Sequence, residues 1–272
     1  VLILGANFRR KIMSQLLAGK TYIIMGVANH RSIAWGIAES LYRHGAKLIF
    51  TYANERLGQD VKKLTATLEG GENFLLVQCD VSNDEDIASC FAKIQKSYPV
   101  IHGLVHCVAY SKREELKGEY VNTSREGYLL AQDISVYSLT AVCKAVKPLM
   151  KEGGSIVTLS YLGGERVVTN YNVMGVAKAA LNASVKYLAN DLGQYNIRVN
   201  AISAGPIRTL SAKAIGDFHL ILKEIEEKAP LKRTTTLEEV GDTTVFLMSD
   251  LSRGVTGELI HVDSGYHIVG LK

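Results

Sequence analysis

From Lys20 onward, short apolar runs alternate with longer segments whose apolar residues return every three or four positions. The runs "TYIIMG", "KLIFTY", "FLLVQCD", "IHGLVHCVA", "SIVTLS", "IRVNAIS" and "LIHVD" predict seven strands. Several are apolar at consecutive positions rather than at every second one, the pattern of a strand covered on both faces. Helical spacing between them predicts helices over 33–43, 55–68, 84–97, 124–150, 172–192 and 237–248. This alternation predicts an α/β fold, a doubly wound Rossmann-type domain with a seven-stranded parallel sheet and right-handed crossovers.

One connection is too long for that scheme. After "IRVNAIS" comes "AGPIRTLSAKAIGDFHLILKEIEEKAPLKR", about thirty residues where about 2 to 6 suffice. Phe218, Ile221, Leu222 and Ile225 recur there at helical spacing, so the segment reads as a helical lid over about 206–233, at the carboxyl ends of the strands where ligands bind. The small residues Ser211, Ala212, Ala214 and Gly216 ahead of it permit hinge motion, and a mobile lid is expected. At the other end, "VLILGANFRRKIMSQLLAGK" puts its apolar run before its positive charges, the reverse of a secretory signal, and is too short to span a membrane. Residues 1–18 read as a peripheral arm and 19–272 as a single dinucleotide-binding catalytic domain.

Composition narrows the partners. A chain of 272 residues, 47% hydrophobic, buries a large single core. The formal charge of +4 is too mild and too evenly spread for a nucleic-acid partner, and no membrane partner is indicated. Cys79, Cys90, Cys107 and Cys143 are widely separated, with no C-x-x-C, which argues against a disulfide framework or zinc cluster and for a reducing cytosol. His102 and His106 are four apart, but on a strand that spacing is about 13 Å, so no metal is expected.

Candidate chemistry gathers at the strand ends. "MGVANHRSIAWGIA" follows the first strand and opens the first helix, where a pyrophosphate meets backbone N–H groups. It lacks G-x-G-x-x-G, and by itself fits an ordinary strand-to-helix turn equally well. After the second strand, "FTYANER" offers neutral Ala53 and Asn54, then Glu55 opposing Arg56, which favours NADH over NADPH. Asp80 and Val81 suit an adenine edge or a simple strand exit. In "YNVMGVAK", Tyr171 and Lys178 are seven apart. At about 100° per residue they return to within about 20° of one helix face, roughly 10.5 Å apart along the axis. Both can address one ligand, Lys178 holding ribose hydroxyls while its charge makes the Tyr171 phenol a better proton donor. A packed tyrosine and a solvated lysine give the same spacing.

These motifs resemble those of the short-chain dehydrogenase/reductases, and within them the bacterial enoyl-acyl-carrier-protein reductases of fatty-acid elongation. The resemblance runs from about Lys20 to Gly270 through "GVANHRSIAWGIA", "TSREGYLLAQDIS", "GGSIVTLSYLGGE", "NYNVMGVAKAAL", "IRVNAISAGPIRTLSAK" and "HVDSG". Most short-chain enzymes use Y-x-x-x-K; here Gly175 occupies that lysine position and the spacing is Y-x6-K, with Tyr161 ten positions upstream.

The resemblance implies a cytoplasmic oxidoreductase that passes hydride from NADH to C3 of a trans-2-enoyl thioester on acyl carrier protein. It makes Tyr171, Lys178 and Tyr161 catalytic, with the role of Tyr161 left open between proton donation and pocket shaping. It implies cofactor contacts at Gly26, Ser32, Ile33, Asp80, Val81, Val108, Lys178 and the run Ile207, Arg208, Thr209, Leu210, Ser211. Substrate contacts are implied at Ser111, Tyr161, Met174, Ile215, Phe218 and Ile221, and a homotetramer is expected. Tyr110, Ser111, Ala214, His219 and Leu220 depart from the family pattern. Lys213, Lys228, Lys232 and Arg233 read as an acidic-carrier contact or as solvated surface. A short-chain 3-oxoacyl or ketone reductase and a non-catalytic dinucleotide sensor remain as alternatives, the first opposed by Gly175.

Overall fold

The computed structural model describes residues 15–209 and 218–270. Its strands are β1 (Thr21–Met25), β2 (Lys47–Tyr52), β3 (Leu75–Gln78), β4 (Gly103–His106), β5 (Gly154–Ser160), β6 (Ile197–Ala204) and β7 (Leu259–Val262). They form one seven-stranded parallel sheet, as the alternation predicts, and its strand order is β3-β2-β1-β4-β5-β6-β7. The helices are α1 (Ile33–Arg43), α2 (Glu55–Thr65), α3 (Asp84–Ser97), α4 (Arg125–Gln132), α5 (Ser138–Val146), α6 (Asn172–Gly193), α7 (Phe218–Lys228) and α8 (Leu237–Met248).

Successive side chains of a strand point to opposite faces. In β1, Ile23 and Met25 join one core with α3, α5 and α6, whereas Tyr22 and Ile24 join a second core with α1, α2 and α8. All five β1 residues are buried, which is why its sequence shows no polar alternation. Burying one such aliphatic side chain stabilises by about 1.5 to 3 kcal/mol.

Three expectations are corrected. The helix predicted over 124–150 is divided: α4 and α5 are joined by a π-turn at Asp133–Tyr137, and Lys147–Leu149 closes as a 3-10 turn with Pro148 in its first positions. The apolar spacing runs through the π-turn without a break, so periodicity does not show it. The helix predicted to reach 68 ends at Thr65, whose hydroxyl turns back onto the Lys62 carbonyl. The arm expected over 1–18 is not peripheral at its end: Leu17 is fully buried in the second core, and its N–H donates to the His44 carbonyl at 2.9 Å. The rest of that arm, 1–14, lies outside the described residues.

Candidate active site

In a parallel sheet every strand delivers its carboxyl end to the same edge. The strand order reverses between β1 and β4, and the crevice at such a switch point is where open α/β sheets bind ligands. Gly26, directly after β1, has φ +90°, and a Cβ there would lie 2.0 Å from the Cys107 carbonyl oxygen. Only glycine lets the two chains pass this closely at the floor of the crevice. Ser32 is the N-cap of α1 but does not cap it; its hydroxyl donates to the Asn29 carbonyl at 2.5 Å. No acid sits in the first turn of α1. By contrast Asn54, Asn83, Ser124 and Thr236 cap α2, α3, α4 and α8 with their side chains. The open N–H groups of α1 and the glycine cradle beside them fit a dinucleotide pyrophosphate.

Ile33 packs half-buried on the second core. Asp80 stands at the end of β3 with Oδ1 accepting from the Ser82 N–H and hydroxyl at 3.0 and 2.7 Å, and Val81 is buried behind it. Val108 packs on the first core, and Ser111 is half-buried at the end of the same loop. Ile207 is half-buried after β6, Arg208 is exposed, and the Thr209 N–H donates to the Ile207 carbonyl at 2.7 Å in a tight γ-turn. Leu210, Ser211 and Ile215 lie outside the described residues. Phe218 opens α7, and Ile221 is half-buried on it.

Tyr171 immediately precedes α6 between two asparagines in the left-handed region, Asn170 at φ 60° and Asn172 at φ 28°. Such conformations are costly for residues other than glycine and tolerated best by Asn. The Asn172 amide donates to the Gly118 carbonyl at 3.1 Å and holds the turn. The Tyr161 and Tyr171 rings meet edge to face, centroids 4.9 Å apart at 69°. Burial, then the Tyr161 hydroxyl, raise the Tyr171 phenol above its usual range. Burial, then Tyr266, push Tyr161 up to about 12. Both are protonated donors at neutral pH. Lys178 is only 6% exposed and donates from Nζ to the Leu159 carbonyl at 2.7 Å. Burial lowers its pKa to about 8, opposed by the Cys107 thiol. Burial is the leading cause of the shift in both groups, and the expected acidification of Tyr171 by Lys178 is not among the causes acting on the phenol. Met174 is buried against Tyr171 in a small cluster.

Sequence reasoning passed over the turn that seats this pair. Gly163 and Gly164 lie flat on α6: a Cβ on Gly163 would be 2.4 Å from the Tyr171 ring, and one on Gly164 would be 2.8 Å from the Lys178 backbone. A Cβ on Gly175 would be 2.8 Å from the Gly163 carbonyl oxygen, so the position where other short-chain enzymes carry lysine is closed to side chains here. The doubled glycine in "YLGGE" was the available signal. On the far side of this turn, Glu165 meets His261 Nε2 at 2.8 Å.

The His102 and His106 rings are engaged in hydrogen bonds. His102 Nδ1 accepts from the Thr21 N–H, and His106 bonds two hydroxyls. Among the described residues no group of three potential ligands gathers.

The sheet order, the glycine cradle, the uncapped α1 and the paired tyrosine and lysine define a dinucleotide-binding protein of the short-chain dehydrogenase/reductase type. Comparison with known proteins narrows this. The family model described as enoyl-(acyl carrier protein) reductase matches residues 26–267. The enoyl-acyl-carrier-protein reductase (NADH) FabI of Bacillus cereus is 69% identical over 256 residues, spanning 94% of this chain and 100% of that one. The Staphylococcus aureus protein named as the NADPH form is 59% identical over 253 residues, 93% of this chain and 98% of that one. A crystal structure of the Bacillus cereus reductase with NADP+ and indole naphthyridinone superposes with a TM-score of 0.93 at 68% identity, covering 94% of this chain and 100% of that one. The chain belongs to the enoyl-(acyl carrier protein) reductase family.

Proposed function

We propose that this chain is the cytoplasmic enoyl-acyl-carrier-protein reductase of fatty-acid elongation, using NADH and taking its substrate from acyl carrier protein. The observation that carries this reading is Tyr171 seated on Gly163 and Tyr161, with Lys178 two turns onward and position 175 closed.

NADH, when bound, supplies the hydride that reduces C3 of the trans-2-enoyl thioester. Negative charge then develops on the thioester oxygen, away from C3, and the Tyr171 hydroxyl donates its hydrogen bond there before C2 is protonated. Preorganised donors of this kind lower the barrier because they need no reorganisation as charge forms. Lys178, already desolvated, holds the nicotinamide ribose. Gly26, Ser32 and Ile33 take the pyrophosphate side, Asp80 and Val81 the adenine, and Val108 with Ile207, Arg208, Thr209, Leu210 and Ser211 the nicotinamide. The resemblance assigns the acyl chain to Ser111, Tyr161, Met174, Ile215, Phe218 and Ile221.

The NADH preference rests on the β2 exit. Asn54 is committed to capping α2, and Glu55 accepts from Gln59 Nε2 at 2.8 Å. A carboxylate fixed at this helix start opposes an added ribose phosphate. The lid reading for 206–233 is supported by α7, whose Leu222 and Ile225 are buried while Tyr266 donates to Glu224 at 3.0 Å.

Absorbance of reduced nicotinamide tests the reading. With a short trans-2-enoyl thioester, NADH should be oxidised faster than NADPH, and a 3-oxo thioester should give no turnover. Turnover of the 3-oxo thioester alone would identify a ketone reductase, and turnover of neither a dinucleotide sensor.

A further inference from the structure

The π-turn at Asp133–Tyr137 stands beside a buried histidine that the reaction does not use. His106 on β4 is in register with Thr158 on β5. Its imidazole is fully buried, with Nδ1 3.0 Å from the Thr158 hydroxyl and Nε2 2.9 Å from the Ser138 hydroxyl. Ser138 has one proton, and it goes to the Ile134 carbonyl at 2.7 Å. Thr158 also has one proton and a second acceptor in reach, the His106 carbonyl oxygen at 3.2 Å. The shorter Ser138–Ile134 bond favours the Nε2–H tautomer, with Thr158 then donating to Nδ1. A single donor chain then runs from Thr158 through His106 and Ser138 to the Ile134 carbonyl. Burial first, and the nearby Lys178 charge second, lower the His106 pKa to about 3, so this pattern holds at working pH.

The chain of bonds ends inside the π-turn, one residue before Ser135. That hydroxyl is fully buried and spans one residue of the loop after β4: it accepts from the Tyr110 N–H at 3.1 Å and faces the Tyr110 carbonyl oxygen at 3.2 Å. It also lies 3.8 Å from Met174 Sδ. A π-turn disturbs the regular helix ladder and recurs at functional sites. Here it brings a hydroxyl to the backbone of Tyr110, between Val108 on the cofactor side and Ser111 on the substrate side.

We propose that His106 fixes the π-turn so that Ser135 clamps the Tyr110 backbone, making His106 and Ser135 positioning residues for the enoyl thioester. This rests on the reading of Val108 and Ser111 given above. The clamp touches no reacting atom; it sets where the substrate loop stands relative to Tyr171. An amide can replace only half of the imidazole: glutamine reaches the Nε2 position and keeps the bond to Ser138, whereas asparagine keeps only the Thr158 side.

The test compares Ser135→Ala, His106→Gln, His106→Asn and Tyr171→Phe with the wild-type protein, measuring kcat and KM with a trans-2-enoyl thioester, the Kd of NADH, and Tm. Losing the clamp should lower kcat/KM of Ser135→Ala about tenfold, mainly through KM, as expected for one or two hydrogen bonds. Its NADH Kd should stay within about twofold, a change smaller than the loss of one hydrogen bond would give. His106→Gln should retain more kcat/KM than His106→Asn. A Ser135→Ala protein with wild-type kcat/KM, or one losing NADH affinity by the same factor as kcat/KM, overturns the proposal. So does equal loss in the two His106 variants; if these do not fold, Ser135→Ala decides. Full activity in Tyr171→Phe would instead remove the reading of the site, whereas an impaired Tyr171→Phe beside an unimpaired Ser135→Ala removes the clamp alone.

Discussion

A phenol whose pKa is raised by burial keeps its proton at working pH, so Tyr171 has a hydrogen bond to donate to an oxyanion. Tyr171→Phe should therefore lower kcat by about 10² to 10³, the effect of losing one oxyanion donor, while the Kd of NADH is unchanged; equal loss in both would make Tyr171 a binding residue. Lys178 carries a second expectation, with a definite sign. Its folded pKa of about 8 lies below the reference value of 10.5. Below about 8 both states are protonated and the cost of burying the charge is fully present. Above it the folded protein releases a proton that the unfolded chain keeps, so stability contributed at this position rises with pH up to the unfolded pKa. Without cofactor, wild type should gain Tm relative to Lys178→Met as pH rises from about 7 to 9.5, and a falling difference would contradict the burial argument. The seven-residue spacing of Tyr171 and Lys178 placed both on one side of a helix, but that spacing also fits a packed tyrosine and a solvated lysine, and only the family resemblance singled the pair out. Gly163 and Gly164 were not legible in the sequence, since their role depends on a turn from β5 touching a helix that begins several residues later. The pKa order was also hidden: spacing shows that two groups are near, whereas burial decides which charge survives.

The elements were legible where one force set them. The parallel sheet follows from buried strands joined by crossovers, and α8 from its apolar spacing; the structure adds the strand order and the capping box of Thr236 with Glu239. The division between α4 and α5 escaped because apolar spacing reports which face is buried and says nothing of one extra residue in a turn. At the α6 crossing, two effects of opposite sign compete in Gly175→Ala. Alanine in a helix interior gains about 0.5 to 1 kcal/mol over glycine. Its Cβ would also sit 2.8 Å from a backbone oxygen of Gly163, and overpacking of this sort costs about 1 to 3 kcal/mol. The clash should win: the variant should melt below wild type and lose kcat through the displaced turn carrying Tyr161, whereas a higher Tm with intact kcat would show that the turn yields freely.

On the scale of the whole molecule, the run Arg125–Leu149 presents a surplus of apolar surface. It is 25 residues long with a hydropathy of 1.2 over its most apolar window, and only 44% of that window is buried within the chain. Length and composition alone would admit a membrane span, but α5 places Leu139, Val142, Cys143 and Val146 in the first core, which a lipid-facing helix does not do. The outer side is what remains: Leu129 is 59% exposed and Tyr137 52%, with Tyr128 and the preceding Val121 also open. Tyr187 on α6 is 76% exposed. Large exposed apolar side chains, spread here over α4, the π-turn and α6, are commonly covered by another protein surface, and a second copy of the same chain can cover them by symmetry. The family resemblance implies a homotetramer, and this face would supply contacts at α4, the π-turn and α6; light scattering should then give four times the 29.7 kDa chain mass. Leu129→Arg would bury an unpaired charge in such a contact, a cost of several kcal/mol, so it should shift the mass to smaller species while a freshly isolated subunit keeps its circular dichroism. A Leu129→Arg protein that stays tetrameric would place the contacts elsewhere, and a wild-type monomer would leave this apolar face for a different partner.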